Sequence, residues 1–420
     1  MNILWVTNAA LPEASLLMNE EPFLFAGWLI NAAEQLKKEE NIRLSIAFPK
    51  GGIKEINVLK GQAVDYYPFT PIIGSEKEMI DNQDFLHIIH QSKPDLVHIF
   101  GTEYPHTLAM VNVCKKKNIK CVISIQGLVS FIAKHYLNGL PEKVQKHFTF
   151  RDIIKLDNLK IQQKRLKKRG EFEVAAISNV NHVIGRTTWD QACTAIINPR
   201  IQYHYCNETL RDEFYRHSWN LESCEKYSIF LSQGSYPVKG LHFMLEAMPI
   251  VLKRFPNAKL YIGGPELTKS NSFKEKLKVS SYGKYIKDLV EKHQLQEQVV
   301  FTGALNEKQI CQRYLKSNVF ICPSTIENSP NSLGEAMILG VPAIAADVGG
   351  IADLIKHREE GFVYQPDAPY MLAHYICEIF DNDQLAKEFS EKAKRKAARL
   401  HDIEQNNMRL LEIYQNINGE

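Results

Sequence analysis

The sequence predicts an α/β protein with two doubly wound parallel sheets in tandem, and two observations lead to this fold class. The chain has 420 residues, which exceeds the size that one hydrophobic core usually serves, so two domains of about 200 residues are expected. Short aliphatic or β-branched runs alternate with longer polar segments of helical period in both halves of the chain. Such alternation is typical of β-α units whose strands form a parallel sheet.

We expect seven strands in the first half of the chain and six in the second. The first seven are NILWVT, RLSIAF, DLVHIFG, KCVISIQG, EVAAIS, HVIGRTT and IQYHYC. The other six are YSIFLSQG, AKLYIGG, QVVFTG, NVFICPS, VPAIAA and GFVYQ. The join is expected near HYCNETLRDEFY, and the Ala-, Lys- and Glu-rich tail from about Asp381 should be helical. The expected Rossmann-like domains are therefore 1–206 and 207–402, with a last helix at 403–420 that packs back on the first.

Composition excludes several other classes of protein. The chain is 45% hydrophobic and 24% charged, as in average globular proteins, and its net charge of +3 is too small to predict a nucleic-acid partner. The opening run NILWVT is predicted to be a strand and not a secretory signal. The eight cysteines have no metal-binding spacing, which fits buried thiols in a reducing cytoplasm.

The carboxyl ends of the strands are where a ligand is expected, in the cleft between the two sheets. Glu327 directly follows the strand NVFICPS, and Ser329 is predicted to cap a helix that begins at Pro330. The first turn of that helix would present backbone N–H groups to a phosphate oxygen, at Asn331, Ser332 and Leu333. With Glu335 one turn further on, two carboxylates could hold hydroxyl groups on either side of a diphosphate, as a nucleotide sugar requires.

Each of these residues also has a simpler interpretation. The pattern Ser332-x-x-Glu335 matches a capping box, in which Glu335 only returns a hydrogen bond to the start of the helix. An isolated Glu327 in a loop would be a solvated side chain. The surrounding sequence decides between these interpretations.

That surrounding sequence, ICPSTIENSPNSLGEAMILGVPAIAADVGGIADLI, resembles the Glu-x7-Glu region of retaining glycosyltransferases of the GT-B fold, in particular glycosyltransferase family 4. The resemblance extends through SIFLSQGSYPVKGLHFMLEAMPIV, AKLYIGGP and VVFTGALNEKQICQRYLKSNVF of the second domain. In the first domain only the framework agrees, through DLVHIFG and the domain junction.

The resemblance implies a role for several residues of the second domain. Glu327 would lie against the donor sugar, Glu335 would bind the ribose hydroxyls, and Lys239 would neutralise the leaving diphosphate. Glycines and the FTGAL loop would let the main chain approach the nucleotide, at Gly264, Gly303 and Leu305. The implied mechanism needs no protein nucleophile and no metal or other cofactor, because a donor phosphate oxygen takes the proton of the acceptor hydroxyl.

The sequence also departs from the family pattern. Gly234 stands where an arginine usually helps to bind the diphosphate, so either Arg186 or the helix N-terminus would have to replace it. The loop after the first strand has the single Gly27 where relatives have a glycine pair, and Gln126 stands where relatives often have a histidine. Since glutamine cannot transfer protons, Glu103 and His106 are acid-base candidates by position.

The segment KIQQKRLKKR, residues 160–169, has six basic residues and no acidic one. It would suit peripheral contact with an anionic membrane or a lipid-linked acceptor, although a solvated helix face explains the same charges. No window of about 18 apolar residues predicts a membrane span.

The leading hypothesis is a cytoplasmic retaining glycosyltransferase, peripheral at the inner face of the membrane if that segment binds lipid. It would move a sugar from a nucleotide sugar to a glycan or lipid-linked glycan, in surface polysaccharide biosynthesis. The alternatives are a non-catalytic two-lobed binding module for a sugar or nucleotide, and a GT-B epimerase or phosphorylase. An oxidoreductase is disfavoured because no G-x-G-x-x-G follows the first strand.

Overall fold

The computed structural model describes residues 1–22, 27–53, 57–72, 79, 82–269 and 272–420. The chain forms two compact units. The first unit comprises residues 1–131, 167–211 and 401–420, and the second unit comprises 132–166 and 212–400.

The first unit is built on a sheet of eight described strands. They are β1 (Asn2–Val6), β2 (Arg43–Pro49), β3 (Leu59–Lys60), β4 (Val64–Phe69), β5 (Leu96–Phe100), β6 (Lys120–Ser124), β7 (His182–Gly185) and β8 (Gln202–Tyr205). Their order is β3-β4-β2-β1-β5-β6-β7-β8, and each neighbouring pair is parallel except β3 and β4. The carboxyl ends of its long parallel strands therefore meet at one edge.

Nine described helices lie between the first residue and the end of β8. They are α1 (Pro12–Leu17), α2 (Gly27–Leu36), α3 (Gln83–Ser92), α4 (Pro105–Lys117), α5 (Val129–His135), α6 (Glu142–Lys146), α7 (Phe150–Lys155), α8 (Leu159–Asn179) and α9 (Thr188–Ile197).

The second unit is built on a sheet of six described strands, all parallel. They are β9 (Glu225–Leu231), β10 (Lys259–Ile262), β11 (Val299–Phe301), β12 (Ser317–Cys322), β13 (Ala343–Ala346) and β14 (Gly361–Tyr364), in the order β11-β10-β9-β12-β13-β14. The helices that follow are α10 (Leu241–Leu252), α11 (Phe273–Lys276), α12 (Ser281–Lys292), α13 (Glu307–Leu315), α14 (Asn331–Leu339), α15 (Ile351–Leu354), α16 (Pro369–Asp381), α17 (Asp383–Leu400) and α18 (Ile403–Gly419).

The last helix, α18, belongs to the first unit and is held there by a buried polar network. The Trp5 indole donates to the Tyr414 hydroxyl at 3.0 Å, and that hydroxyl lies 2.6 Å from Nδ1 of His98. The other ring nitrogen of His98 lies 2.7 Å from the Ser124 hydroxyl. Because buried polar groups are costly unless they are paired, this chain of contacts fixes α18 against β1 and β5.

Residues 132–166, which lie between β6 and β7 in the chain, pack on the second unit, although the expected division assigns them to the first domain. The backbone carbonyl of Asn138 lies 3.2 Å from Nε2 of the buried His242 in α10. The buried Asp152 carboxylate accepts from the backbone N–H of Ser281, at the first residue of α12, at 2.9 Å. Anchors of this kind are not visible in sequence periodicity.

Most of the predicted elements are confirmed, and one strand is wrong. EVAAIS was expected to be a strand but forms the end of α8, where alanines favour helix over sheet. Strand β4 was not predicted, because Pro68 inside it resembles a strand breaker. The helical tail is confirmed by α17 and α18.

Candidate functional site

An ion pair occupies the carboxyl ends of the neighbouring strands β9 and β12. The Lys239 ammonium lies 2.6 Å from Oε1 of Glu327, and the buried Ser324 hydroxyl donates to the same oxygen at 2.7 Å. The two charged side chains are only 21% and 11% exposed, so solvent screens the pair weakly. The two residues singled out for chemistry are therefore brought into direct contact.

The electrostatics of this pair keep the lysine charged. Burial is the largest single influence and disfavours the Lys239 ammonium. The Glu327 carboxylate, together with smaller contributions from Tyr236 and Cys322, outweighs burial and raises the pKa of Lys239 above its ordinary value. Burial and, next, the Glu327 carboxylate raise the pKa of the Cys322 thiol to about 12. At neutral pH the neighbourhood therefore holds a cation and a protonated thiol, which is a poor nucleophile.

Two glycines fix the backbone of the loop that carries Glu327. A Cβ atom at Gly240 would lie 1.8 Å from the carbonyl oxygen of Pro323, and one at Gly349 would lie 1.9 Å from the carbonyl oxygen of Glu327. Both glycines have positive φ, at +69° and +53°. Only glycine permits this approach and this conformation without strain. Their role here is to position the loop at both of its ends.

The start of α14 differs from the expectation. The helix begins at Asn331, its N-cap is Pro330, and no side chain caps it, so the prediction that Ser329 is the cap is wrong. The capping-box interpretation of Ser332 and Glu335 is wrong for the same reason. The Leu333 N–H donates to the Pro330 carbonyl at 3.0 Å, so the prediction that Leu333 offers its N–H to a phosphate is also wrong. Proline has no hydrogen-bonding side chain, so a helix with Pro330 at its N-cap has no side-chain cap.

Glu335 lies in the second turn of α14, and its side chain is buried. A buried carboxylate on a helix that starts at the end of β12 is held in one place by its surroundings. Nearby, the Tyr314 hydroxyl donates to the Ser332 carbonyl at 3.0 Å, which ties the first turn of α14 to α13. Both carboxylates of the Glu-x7-Glu pattern therefore sit at one strand end, Glu327 in the loop and Glu335 on the helix.

The other donor-side candidates lie at the ends of β9, β10 and β11. Gly264 and Gly303 form an isolated antiparallel bridge, with the Gly264 N–H donating to the Gly303 carbonyl at 3.1 Å, and Leu305 follows it half-buried. A Cβ atom at Gly234 would lie 2.8 Å from Ile262 and 2.9 Å from Leu241. A larger residue at position 234 would therefore have to displace these side chains.

The first-unit candidates are already engaged with protein groups. Gln126 donates to one oxygen of Glu208 at 2.6 Å, and the buried Arg186 guanidinium donates to the other at 2.8 Å. Glu208, which was not predicted, thus organises the ends of β6, β7 and β8. The neighbouring NETL sequence carries no motif that would have revealed this role.

The two acid-base candidates after β5 are also paired. The Glu103 carboxylate accepts from Arg169 at 2.7 Å. His106 is buried with Nε2 3.0 Å from Oδ1 of Asn8, and burial lowers the pKa of His106 to about 4. A histidine with so low a pKa is a weak base at neutral pH.

Gly27 opens α2 in the first unit, where a Cβ atom would lie 2.5 Å from Cγ of Arg211. A larger residue at position 27 would therefore have to displace the Arg211 side chain. Part of the preceding loop, residues 23–26, lies outside the described residues.

Two kinds of feature are missing from the part of the chain that the structure describes. None of the described helices combines the length and apolar composition needed to cross a bilayer. The same residues bring together no group of three or more His, Cys, Asp or Glu side chains that could hold a metal ion. Metal-independent transfer stays a prediction.

Comparison with known proteins bears on the second unit first. Residues 212–396 match the family model described as glycosyl transferases group 1. The match covers most of the second unit. It contains Lys239, Glu327 and Glu335, so the ion pair lies inside the matched region.

Two curated relatives match over less than half of the chain. An uncharacterized glycosyltransferase of Methanocaldococcus jannaschii is 28% identical over 181 residues, which cover 43% of this chain and 42% of that protein. The poly(ribitol-phosphate) alpha-N-acetylglucosaminyltransferase of Staphylococcus aureus is 27% identical over 38% of this chain and 29% of its own length. The chain thus spans less than half the length of these two curated relatives.

Solved structures extend the likeness to both units. The sucrose-phosphate synthase of Thermosynechococcus elongatus has a TM-score of 0.70 at 15% identity, over 99% of both chains. HepE of Anabaena, solved with UDP and glucose, has a TM-score of 0.67 at 16% identity, also over 99% of both chains. At such identities the likeness shows the fold alone. Together with the two sheets of mostly parallel strands, it shows that the chain has the GT-B fold.

Proposed function

We propose that the protein is a retaining glycosyltransferase that moves a sugar from a nucleotide-sugar donor to a glycan or lipid-linked glycan. One observation carries the proposal: the Lys239–Glu327 ion pair at the ends of β9 and β12, next to the buried Glu335 of α14. The match of residues 212–396 to the family model for glycosyl transferases group 1 supports it.

The ion pair suits the charge changes of glycosyl transfer. When the bond between the sugar and the diphosphate breaks, negative charge grows on the leaving phosphate, and the Lys239 ammonium stabilises that charge more than it stabilises the intact donor. Glu327 holds the ammonium in place and offers its second oxygen toward a sugar hydroxyl. The acceptor hydroxyl attacks the anomeric carbon of the donor sugar from the side of the leaving group, and its proton passes to a phosphate oxygen.

The absent diphosphate arginine is compensated in this proposal by the start of α14. The Arg186 guanidinium is bound by Glu208 at 2.8 Å, whereas the positive end of α14 lies directly after the Glu327 loop. A helix N-terminus attracts a phosphate oxygen through its N–H groups and its dipole. We assign this role to Asn331 and Ser332, and we expect transfer without a metal ion.

UDP is the first nucleotide to test as the carrier. The Anabaena HepE structures are described as complexes with UDP, with UDP and glucose, and with UDP-glucose. The Staphylococcus aureus relative is named as an alpha-N-acetylglucosaminyltransferase that acts on poly(ribitol-phosphate). By analogy we propose a UDP-sugar donor, an acceptor from surface polysaccharide biosynthesis and a cytoplasmic site of action.

The test is UDP release from UDP-glucose and UDP-N-acetylglucosamine by the purified protein, with and without glycan acceptors. Wild type is compared with Lys239→Met, and Lys253→Met, an exposed lysine of the same unit, is the matched control. The proposal expects release by wild type and by the control only, and NMR of the product gives the anomeric configuration. Donor binding without turnover in any condition would favour the binding module instead.

A further inference from the structure

Exposed apolar side chains cluster in a short stretch of the second unit. Fourteen large apolar side chains are exposed among the described residues, and five of them fall within the nine positions 148–156. They are Phe148, Phe150, Ile153, Ile154 and Leu156, which are 45% to 65% exposed. Single exposed apolar residues are ordinary, but a contiguous group of this size marks an interaction surface. We call these five residues the apolar patch.

The patch lies on the outward side of α7 because of how that helix is anchored. At about 100° per residue, Phe150, Ile153 and Ile154 share one side of α7, and Asp152 lies on the opposite side. The fully buried Asp152 carboxylate accepts from the Ser281 N–H at 2.9 Å and closes a capping box with Thr149. These bonds attach the polar side of α7 to the second unit and leave its apolar side facing solvent.

Leu156 adds an independent observation. It ends α7 with φ of +47°, a left-handed conformation, and its side chain is 65% exposed. Glycine or asparagine would adopt this conformation at lower cost. The chain instead has a leucine in a strained conformation with its side chain exposed to water, and neither feature stabilises the folded monomer.

The patch is surrounded by positive charge. Between residues 141 and 166 the chain has seven lysines and arginines and three acidic residues. The exposed cations are Lys143, Lys146, Lys155, Lys160, Lys164 and Arg165. Of the acids, Asp152 is buried, Asp157 pairs with Arg151 and Arg165, and Glu142 pairs with Lys146.

Further lysines lie beside the patch on α11 and α12. A surface pocket next to His147 and Thr149 is lined by Lys276, Lys284 and Lys287, together with Asp288 and Glu291. Lys284 pairs with Asp288 and Lys287 pairs with Glu291, so Lys276 gives this pocket its net positive charge.

We propose that the apolar patch inserts into the headgroup region of an anionic membrane while the surrounding lysines contact lipid phosphates. Apolar insertion combined with cationic side chains is the physical signature of peripheral attachment to negatively charged lipids. A second copy of this chain is a poorer occupant, because a symmetric contact would bring the two rims of like charge together. The site differs from the earlier expectation at residues 160–169, since its anchors are the apolar residues 148–156.

The test is co-sedimentation with vesicles of phosphatidylcholine alone and of phosphatidylcholine with phosphatidylglycerol. Wild type is expected to bind the anionic vesicles and to bind the neutral ones at least tenfold more weakly. The double variant Ile153→Ser and Ile154→Ser should lose at least about tenfold in binding, because burying one aliphatic side chain is worth roughly a factor of ten. Ile196→Ser, a 75% exposed isoleucine of α9, is the matched control and should bind like wild type.

A variant with reversed charges tests the attraction between lysines and anionic lipids separately from the insertion of apolar side chains. Lys155→Glu combined with Lys160→Glu should weaken anionic binding, while Lys253→Glu should not. The proposal is overturned if wild type binds neither vesicle, or if the isoleucine variant binds like wild type. It is also overturned if light scattering shows a dimer that the isoleucine variant dissolves. Unchanged melting temperature and unchanged UDP binding in the variants separate this result from any failure of the proposed transferase function.

Discussion

The Lys239 ammonium and the Glu327 carboxylate lie 2.6 Å apart at the ends of two neighbouring strands. Because the two groups are so close, the carboxylate keeps the largely buried lysine charged and fixes the position of its ammonium group. It also makes the pair vulnerable, because loss of either partner leaves an uncompensated charge with little access to water.

Lys239→Met should lower the rate of sugar transfer by about 100- to 1000-fold, because removing one preorganised donor to a developing anion has this effect. The change should appear mainly in kcat. A steady-state assay of UDP release gives both parameters. A variant that retained its kcat and raised only KM would show that Lys239 serves ground-state binding.

Ser324→Ala should lower kcat about tenfold, because the hydroxyl that donates to Glu327 Oε1 at 2.7 Å is removed and the carboxylate loses its orientation. The neighbouring Thr325→Val is the control, since the Thr325 hydroxyl donates to the His135 carbonyl at 3.1 Å instead. Thr325→Val should affect the melting temperature and leave kcat near wild type. Equal kcat losses in both variants would contradict a specific role for Ser324.

Gly349→Ala and Gly240→Ala should each destabilise the second unit by more than the cost of positive φ alone. A new Cβ atom at either position would overlap a carbonyl oxygen at less than 2 Å, and such a clash adds about 1–3 kcal/mol. Gly303→Ala is the matched control in the same unit, because Gly303 has φ of +75° with no atom within 4 Å of the added carbon.

Thermal unfolding measures the difference. For a unit of about 200 residues, 1 kcal/mol corresponds to about 2–4 °C, so Gly240→Ala and Gly349→Ala should melt several degrees below Gly303→Ala. Identical melting temperatures for the three variants would mean that the Glu327 loop can move away at no cost.

The stability of the second unit should fall as the pH falls from 6.5 toward 4. Burial lowers the pKa of His242 to about 4, partly opposed by its contact with the Asn138 carbonyl, whereas the unfolded chain has a pKa of about 6.5. The unfolded state therefore binds a proton that the folded state rejects, and stability is lost over this range. At pH 5 the loss is on the order of 2 kcal/mol.

Melting temperatures at pH 7 and pH 5 test this prediction. Between pH 7 and pH 5 the melting temperature of His242→Gln should fall less than that of wild type. His374→Gln, which changes an exposed histidine of the same unit, is the control. An unchanged decrease in His242→Gln would show that other groups account for the acid sensitivity.

The sequence was informative where local pattern and global fold agree. Parallel strands buried on both faces have near-continuous apolar runs, and for this reason NVFICPS and its neighbours were recognised and Glu327 was located at a strand end. The family resemblance implied a separate role for Lys239 and for Glu327, but their contact was not predicted, because the residues are 88 positions apart.

Other features depend on tertiary contacts that leave no pattern in the sequence. EVAAIS has the residues of a buried strand, but it continues a 21-residue helix, and helical context overrides a short apolar run. The packing of residues 132–166 on the second unit depends on single bonds such as that between Asp152 and Ser281. Likewise, Glu208 pairs with Arg186 and Gln126 without any motif.

The most direct test of the central claim is the thermal shift of the protein with UDP, compared between wild type and Glu335→Ala, with GDP, ADP, CMP and dTDP in parallel. A ligand that binds only the folded state raises the melting temperature with the logarithm of its concentration. Glu388→Ala, an exposed glutamate of α17, is the matched control. The account predicts that UDP stabilises wild type and the control and stabilises Glu335→Ala much less. If no nucleotide stabilises wild type at millimolar concentration, the proposed donor site is contradicted.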